Sequence, residues 1–377
     1  MIFLDYNATT KIAPEALNKM LEAYQYPLNS SSTHGMGRLA AKFVEEARNE
    51  VKNFLNAHNY EVVFGSGSTE ATNTVFFGTD VKKILFCTFE HSSVFNCRPS
   101  DKEIIEIKAL KNGLIDLQDL EKKLPADGNF ITSLMLANNE TGAIQKVEEV
   151  AKLTHQKGGI FHCDIVQGVG KIPVDLEKIN ADYASISSYK INGPQGVGAL
   201  LYRKGLDVKP LILGGKQEKS KRAGTVNIAG IAGFGEACKQ AAKKIDLYKN
   251  VEILRDQMEA TIKEIGGSDV EIFSTEIARL PNTSYIATRN LDAQTQLINF
   301  DLNKICVSAG PACTSGTTTE SRVLKAMGIA PEFSKSAIRV SLGTETTADE
   351  IQKFIAVWRE FYLKNNTLAP SGLQRDK

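Results

Sequence analysis

Apolar residues follow two different spacings along the first two thirds of the chain. Over residues 13–24 and 37–57 they recur every three or four positions, which is the pattern of amphipathic helices. Short runs of consecutive apolar residues follow, and helical patterns such as 116–124 and 146–157 separate several of them. Apolar strands interleaved with helices indicate a largely parallel sheet that is covered on both faces. The runs predict seven strands, at residues 62–64, 84–87, 104–107, 133–136, 160–163, 183–186 and 199–202.

The pattern changes near residue 245. A long helical pattern over 228–265 leads into a region of shorter strand-like runs, which is typical of a smaller α+β domain. We therefore expect an α/β protein with a large domain over residues 11–245 and a small domain formed by residues 1–10 and 246–377. In this second region the predicted strands are 270–273, 284–287, 305–308 and 338–342, and the predicted helices are 294–300 and 348–362.

The composition is that of an ordinary soluble globular protein. Hydrophobic residues make up 42% and charged residues 24% of the 377 positions, which argues against disorder and fibrous repeats. Lysine and arginine number 45 against 44 acidic residues, so there is no basic excess of the kind that nucleic-acid-binding proteins carry. No apolar run is long enough to predict a membrane span.

The cysteines also limit the class of protein. No two of them form a C-x-x-C pair, so the sequence predicts neither a disulfide scaffold nor a metal site. The N-terminus lacks the pattern of a secretory signal peptide, and we expect a cytoplasmic location with reduced thiols. The six residues are Cys87, Cys97, Cys163, Cys238, Cys306 and Cys313.

Two predicted strands are followed at once by residues suited to cofactor chemistry. Ligands of such sheets gather at the carboxyl ends of the strands. Asp164 ends one strand, and Lys190 follows another directly before a Gly-Pro turn. Each has an ordinary alternative, since an aspartate can cap a turn and a lysine can be solvated. Together, a carboxylate that keeps a pyridinium nitrogen protonated and a lysine nucleophile are the two groups that pyridoxal 5′-phosphate (PLP) requires.

A glycine- and serine-rich segment joins a predicted strand to a helix at residues 65–69. It is not a dinucleotide fingerprint, because Glu70 stands where the third glycine is needed, and Gly170-Lys171 does not complete a P-loop either. The free N–H groups of a first helical turn and the hydroxyls of Ser68 and Thr69 would suit a phosphate. A capped helix with no ligand explains the segment equally well.

Three further residues are candidates with plain alternatives. His91 follows a strand, where a histidine is either functional or simply structural. Cys313 lies in the small and polar stretch 308–321, in which a cysteine is more easily explained as reactive than as packed in a core. Arg339 lies on an alternating strand and could hold a ligand carboxylate or form a structural ion pair.

The order of these motifs resembles that of the cysteine desulfurases, the NifS- and IscS-like group of class V aminotransferase-type PLP enzymes. The resemblance implies the fold type I architecture, with a mainly parallel seven-stranded sheet in a large domain and a smaller α+β domain. The matching segments are 4–10, 67–70, Glu90-His91, 138–142, 162–164 with Gln167, 190–194, 222–225, 312–315 and 337–343.

The resemblance also implies roles for single residues. Lys190 would bind PLP covalently, Asp164 would pair with its ring nitrogen, and His91 would stack on the ring and assist proton transfer. Cys313 would accept sulfur, and Thr225 would reach the phosphate bound by the other subunit of a homodimer. The expected cofactor-binding residues are Ser68, Thr69, His91, Asn139, Asp164, Gln167, Ser187, Tyr189, Lys190 and Thr225, and the expected substrate-binding residues are Asn7, Asn139 and Arg339.

The implied reaction converts L-cysteine to L-alanine and leaves a persulfide on Cys313 for a protein sulfur acceptor, in iron–sulfur cluster or other thio-cofactor assembly. A selenocysteine lyase or another class V enzyme is an alternative that would not need Cys313. A catalytically silent paralogue is a second alternative, because Tyr189 replaces the usual histidine and the glycine-rich run at 214–220 is only partly kept. Ser30 and Gly168 also depart from the family pattern, and the scaffold-docking extension is not recognised after about residue 365.

Overall fold

The computed structural model describes residues 1–310 and 320–366 of the chain. The strands are β1 (Ile2–Phe3), β2 (Tyr60–Gly65), β3 (Lys83–Cys87), β4 (Glu103–Ile107), β5 (Phe130–Met135), β6 (Ile160–Asp164), β7 (Tyr183–Ser187), β8 (Gly198–Arg203), β9 (Val270–Ile272), β10 (Thr283–Thr288), β11 (Ile305–Cys306) and β12 (Ala337–Ser341). The helices are α1 (Pro14–Tyr24), α2 (Gly35–Phe54), α3 (Ser68–Gly78), α4 (Ser92–Phe95), α5 (Leu117–Lys123), α6 (Val147–Gln156), α7 (Leu176–Ile179), α8 (Gln217–Ser220), α9 (Ile228–Lys244), α10 (Tyr248–Gly266), α11 (Ala293–Leu302), α12 (Arg322–Ala326), α13 (Pro331–Ser334) and α14 (Ala348–Asn366).

Strands β2 to β8 form one seven-stranded sheet in the order β2-β8-β7-β6-β5-β3-β4. All neighbours in it are parallel except β8, which runs antiparallel to both β2 and β7. A parallel connection needs a crossover of a dozen or more residues, usually with a helix. Between β7 and β8 there is only a 3₁₀ turn over Ser188–Lys190, so the chain reverses direction. The predicted seven-stranded, mainly parallel sheet is confirmed.

The registers align the carboxyl ends of the central strands. Met135 of β5 lies beside Asp164 of β6, and Asp164 lies beside Ser185 of β7. Residues that follow these three strands are therefore brought to the same edge of the sheet. Helices α1, α2 and α9 pack against one another, and their buried residues belong to the same apolar core as one face of the sheet.

A separate apolar core lies between the smaller sheets and helices α10 and α14. It contains Leu4 from the N-terminal segment together with residues from 251 to 362. Rings stack within it, with centroids 4.8 Å apart for Phe300 and Phe354 and 5.1 Å apart for Trp358 and Tyr362. Strand β1 pairs in parallel with β11, which joins the N-terminal segment to this region. The exact domain boundary near residue 245 stays a prediction.

The helical pattern over 228–265 forms two helices, α9 and α10, joined by the 3₁₀ segment Ile245–Leu247. The two helices bury their apolar residues in different cores. Cys238 of α9 belongs to the core beside the large sheet, whereas Met258 of α10 belongs to the core of the smaller sheets. The single apolar pattern therefore serves two separate cores, one on each side of the 3₁₀ segment. In the part of the chain that the model describes, no helix has the length and apolarity that crossing a bilayer requires.

Candidate active site

A solvent-open cavity of about 210 Å³ lies at the carboxyl ends of the central strands. Its lining combines residues at the ends of β5, β6 and β7 with Arg339 of β12 and with Asn7 from the N-terminal segment. The large sheet and the smaller region therefore both contribute to it. This is the position at which parallel α/β sheets usually bind ligands.

Lys190 is carried into the cavity by the 3₁₀ turn that ends β7. Its Nζ donates to the main-chain oxygens of Asn7 and Ala8, the second at 2.8 Å. The same nitrogen lies 4.7 Å from the ring centroid of Tyr189. Two carbonyls of the N-terminal segment thus fix the position of the lysine amine.

Asp164 ends β6 and is 5% exposed. Its Oδ1 accepts from the N–H of Val166 at 3.0 Å, and the hydroxyl of Ser68 lies 3.5 Å from Oδ2. Burial raises the pKa of this carboxyl to about 6, while those two hydrogen bonds and the charge of Lys190 limit the rise. A cation bound at this carboxylate would favour its ionised form.

The N-terminus of α3 faces the cavity beside the end of β7. The N–H of Ser68 donates to Oγ of Ser187 at 2.9 Å, and its hydroxyl oxygen lies 3.1 Å from Oγ of Ser185. Gly198 of β8 permits this approach, because a Cβ there would lie 2.6 Å from Cα of Gly67. Thr69 is exposed and lines the cavity. First-turn N–H groups and hydroxyls at one helix end are suited to a phosphate.

His91 lies at the N-terminus of α4, with its ring exposed to the cavity. Its Nδ1 accepts from the N–H of Ser93 at 3.2 Å and lies 2.8 Å from the hydroxyl of the same residue. Desolvation by the surrounding protein, together with the charges of Lys190, Arg322 and Arg339, lowers the pKa of His91 to about 4. The ring is therefore neutral at pH 7, and the hydrogen bonds at Nδ1 assign its proton to Nε2.

Arg339 is 3% exposed and fixed at two of its nitrogens. Nη2 donates to Oδ1 of Asp5 at 2.7 Å, and Nη1 donates to the main-chain oxygen of Asn139 at 2.9 Å. The two interpretations of Arg339 are thus compatible, since it forms an ion pair with Asp5 and also lines the cavity.

Asn7 is buried, and both polar atoms of its side chain form hydrogen bonds with other residues. Its Nδ2 donates to Thr283 Oγ1 at 2.9 Å and to the Asn139 oxygen at 3.2 Å. Its Oδ1 accepts from Lys171 at 2.8 Å and from Asn282 at 3.1 Å. The residue therefore links several segments around Lys190, and its expected role in substrate binding stays a prediction.

Lys171 is a buried lysine that was not predicted as a site residue. It is 3% exposed, and its Nζ also donates to Oε1 of Gln167 at 2.6 Å. The Nε2 of Gln167 in turn donates to the main-chain oxygen of Asn7 at 3.0 Å. Burial holds the pKa of Lys171 well below its usual range, and the charges of Lys190 and Arg339 act in the same direction. In the sequence, the four-residue spacing between Gln167 and Lys171 could have indicated that the two side chains meet.

Glu90, Glu140 and Arg322 also line the cavity but were not predicted as site residues. Glu90 accepts from the N–H of Met135 at 2.7 Å, and Glu140 accepts from the hydroxyl of Ser321 at 2.5 Å. Burial raises the pKa of both carboxyls, that of Glu90 well above its usual range. Both acids lie within motifs already recognised at 90–91 and 138–142, so adjacency to those motifs could have identified them.

Most of the residues predicted for the site meet in this one cavity. Thr225 is exposed and does not line it. Cys313 lies outside the described residues. The eleven that line it are Asn7, Ser68, Thr69, His91, Asn139, Asp164, Gln167, Ser187, Tyr189, Lys190 and Arg339.

Comparison with known proteins supports the interpretation of this cavity. The family model described as aminotransferase class-V matches residues 2–354. The chain belongs to the class V aminotransferase family. It is 36% identical to a protein of Trichormus azollae named cysteine desulfurase, over 98% of this chain and 95% of that protein. It is also 36% identical to a protein of Dictyoglomus turgidum named cysteine desulfurase IscS, with coverage of 98% and 96%.

A solved structure extends the comparison to the fold. The X-ray structure of a NifS-like protein from Rickettsia africae matches with a TM-score of 0.89 and 37% identity, covering 96% of this chain and 99% of that one. The resemblance to the NifS- and IscS-like proteins and the fold class expected from it are confirmed.

Class V family membership implies PLP, and the cavity fits that cofactor. A buried carboxylate and a lysine amine lie on adjacent strand ends, and a helix N-terminus with nearby hydroxyls lies at the same edge. The raised pKa of Asp164 indicates a carboxyl that lacks a close cation among the described residues, which a protonated ring nitrogen would supply. Among the described residues, no cluster of metal-binding side chains competes with this interpretation.

Proposed function

We propose that the chain is a PLP-dependent cysteine desulfurase, which converts L-cysteine to L-alanine and transfers the sulfur to its own Cys313. The observation that carries the proposal is the meeting of Lys190, Asp164 and Arg339 in a single cavity. The names of the curated relatives support the same reaction. The individual residue roles that follow are part of the proposal.

Four groups are suited to holding the cofactor. Lys190 would bind it covalently and Asp164 would keep its ring nitrogen protonated, while the first turn of α3 and Ser187 would bind its phosphate. When bound, PLP supplies an electron sink for the carbanion formed at the substrate's α-carbon. Tyr189 keeps a hydroxyl near the place where the family usually has a histidine.

Arg339 and Lys190 are suited to the substrate itself. Arg339 would bind the α-carboxylate, and its ion pair with Asp5 keeps the guanidinium in position. Once its amine is free, Lys190 would remove the proton from the substrate's α-carbon. It is suited to this role because its attachment to the cofactor places its amine next to that carbon. Neutral His91 would then be able to carry protons near the same position.

Cys313 is the proposed sulfur acceptor. Its thiolate would attack the substrate sulfur, the carbon–sulfur bond would break, and the electron pair left on carbon would be protonated to give alanine. Gly310 lines the cavity, and the three residues from it to Cys313 can span about 10 Å at most. The short length of chain between the two residues supports Cys313 as the acceptor.

A homodimer with shared active sites is part of the proposal. Leu213 is 80% exposed, and Leu211 and Ile212 beside it are also exposed. The N–H of Ala223 donates to the oxygen of Ile212 at 3.2 Å, so this apolar segment lies against the segment that carries Thr225. A second copy covering it would bring Thr225 toward the neighbouring site. We also propose a cytoplasmic location and a protein sulfur acceptor.

The decisive experiment measures sulfide and alanine formed from L-cysteine by the purified, PLP-loaded protein. Cys313→Ala should abolish sulfide release in the presence of a thiol reductant, and Lys190→Ala should abolish both products. Cys306→Ala, which removes the half-buried cysteine of β11 seven residues before Cys313, is the matched control and should keep both activities.

Each other outcome favours a specific alternative. Sulfide release that survives Cys313→Ala but not Lys190→Ala would contradict the persulfide step and favour a selenocysteine lyase or another class V enzyme. A protein that stays colourless with added PLP would contradict every enzymatic interpretation and favour the silent paralogue.

A further inference from the structure

Arg322 begins α12 and brings a second guanidinium into the cavity. The group lies over the ring of Phe95, 3.9 Å from its centroid, and Nη2 donates to the main-chain oxygen of Glu90. Its Nε is buried and has no hydrogen-bond partner among the described residues. The Phe95 ring and one carbonyl therefore hold Arg322 in place, and some of its N–H groups remain available to donate to a ligand.

The charge of Arg322 has no counter-ion among the described residues. Arg339 pairs with Asp5 at 2.7 Å and Arg98 pairs with Glu106 at 2.6 Å, but no carboxylate of residues 1–310 or 320–366 lies within ion-pair distance of Arg322. The sequence of residues 311–319 contains no aspartate or glutamate. An unpaired guanidinium that is partly desolvated gains most from binding an anion.

The acids that interact electrostatically with Arg322 do not remove this excess charge. Burial favours the neutral form of Glu90 and Glu140 by raising the pKa of both carboxyls, and the third acid, Glu106, is already paired with Arg98. Lys190 and Arg339 add positive charge to the same cavity, since both act on His91 together with Arg322. Asp5 pairs with Arg339 and Asp164 interacts with Lys190, whereas the charge of Arg322 is balanced by no ion pair among the described residues.

We propose that Arg322 binds a second negative charge on the ligand, so that the site prefers ligands whose side chain is anionic to neutral ligands of equal length. The ligand class is a carboxylic or amino acid that carries a carboxylate, sulfinate or thiolate two to three carbons from its α-carboxylate. The proposal rests on the proposed function in one respect, since Arg339 is taken to bind the first carboxylate. For L-cysteine, it makes the thiolate the preferred form.

Succinate and butyrate test this without any reaction, because neither has an amine. Isothermal titration of each into the PLP-loaded protein, in a buffer without phosphate, should show succinate binding about tenfold more tightly, the effect of one charge-assisted contact. Arg322→Gln should remove that preference and leave butyrate binding unchanged. Arg322→Lys should restore part of it.

Arg98→Gln is the matched control. Arg98 lies over the same Phe95 ring at 4.6 Å, but it is paired with Glu106 and does not line the cavity, so its loss should leave the preference intact. Equal affinities in the wild type, a preference that survives Arg322→Gln, or its loss in both variants would each overturn the proposal.

If Arg322→Gln fails to fold, the ratio of succinate to butyrate affinity in the wild type still tests the proposal. Turnover of L-cysteine is measured on the same preparation. A protein that prefers succinate but does not turn over L-cysteine would support the role of Arg322 and contradict the proposed function. A protein that turns over L-cysteine but does not prefer succinate would support the proposed function and contradict the role of Arg322.

Discussion

The two walls of the cavity are built on different principles. The sheet wall, formed by Ser68, Asp164, Ser187 and Lys190, comes from strand ends and carries groups whose protonation can change. The network wall, formed by Asn7, Asn139 and Arg339, is fixed by hydrogen bonds and an ion pair to Asp5. The sheet wall is therefore suited to chemistry and the network wall to positioning. Mutations in the two walls should accordingly differ in their effects on kcat and KM.

The largest difference in turnover should be between variants of the two lysines, Lys190 and Lys171. Lys190→Ala should reduce turnover by roughly a thousandfold or more, because it removes both the covalent attachment and the proton acceptor. Lys171→Met should retain measurable turnover, since Lys171 only supports Asn7 and Gln167. Steady-state rates with L-cysteine measure both variants, and an equally inactive Lys171→Met that is folded would show that the two walls do not differ as described.

The second effect concerns the stability of the protein without cofactor. The pKa of Asp164 is about 6 when folded and 3.8 in its ordinary state, so the folded form binds more protons between these values. Stability should therefore fall as pH rises from about 4 to 6, by about 3 kcal/mol from this group. Urea unfolding of the apoprotein at several pH values measures it. Asp164→Asn should remove this component, and an unchanged pH profile in that variant would contradict the assignment.

A third, smaller effect is expected in the network wall. Asp5→Asn leaves the buried Arg339 without its ion-pair partner, so the guanidinium should be less well placed for the carboxylate. We expect KM for L-cysteine to rise about tenfold with kcat changed much less, since a positioning contact is lost. Asp80→Asn, which breaks the exposed pair with Lys209, is the control and should leave KM unchanged. A fall in kcat alone would place Asp5 in the chemistry rather than in positioning.

The smallest effect should follow Tyr189→His, which restores the family's usual residue. The Tyr189 ring contacts the Lys190 amine at 4.7 Å, and such a contact is worth about 1 kcal/mol or less. Turnover should therefore change by about fivefold at most. A large gain in activity would instead indicate that Tyr189 disables the sheet wall, as the silent-paralogue alternative requires.

The sequence allowed the sheet wall to be predicted far better than the network wall. Asp164 and Lys190 follow short apolar runs whose pattern is local, so a strand end could be read directly from neighbouring residues. Arg339 was also found, but its partner Asp5 was not, because they are 334 residues apart in the chain. No local pattern encodes such a contact.

Lys171 and Arg322 show the same limit more clearly. Lys171 reaches Asn7 across 164 residues, and Arg322 reaches Glu90 across 232. Their importance depends on burial and on missing counter-ions, which only the packed structure provides. Periodicity predicted one helical pattern over 228–265 for a related reason. The core that each half joins depends on contacts with residues distant in the sequence.

The N-terminal segment has a consequence for the order in which the site can form. Asn7 and Ala8 hold Lys190, Asp5 holds Arg339, and β1 pairs with β11. During synthesis the chain emerges from its N-terminus, so these early residues wait for partners translated 182 to 334 positions later. The sheet wall can assemble on the ribosome as its strands appear, whereas a competent site forms only after Arg339 has left the exit tunnel.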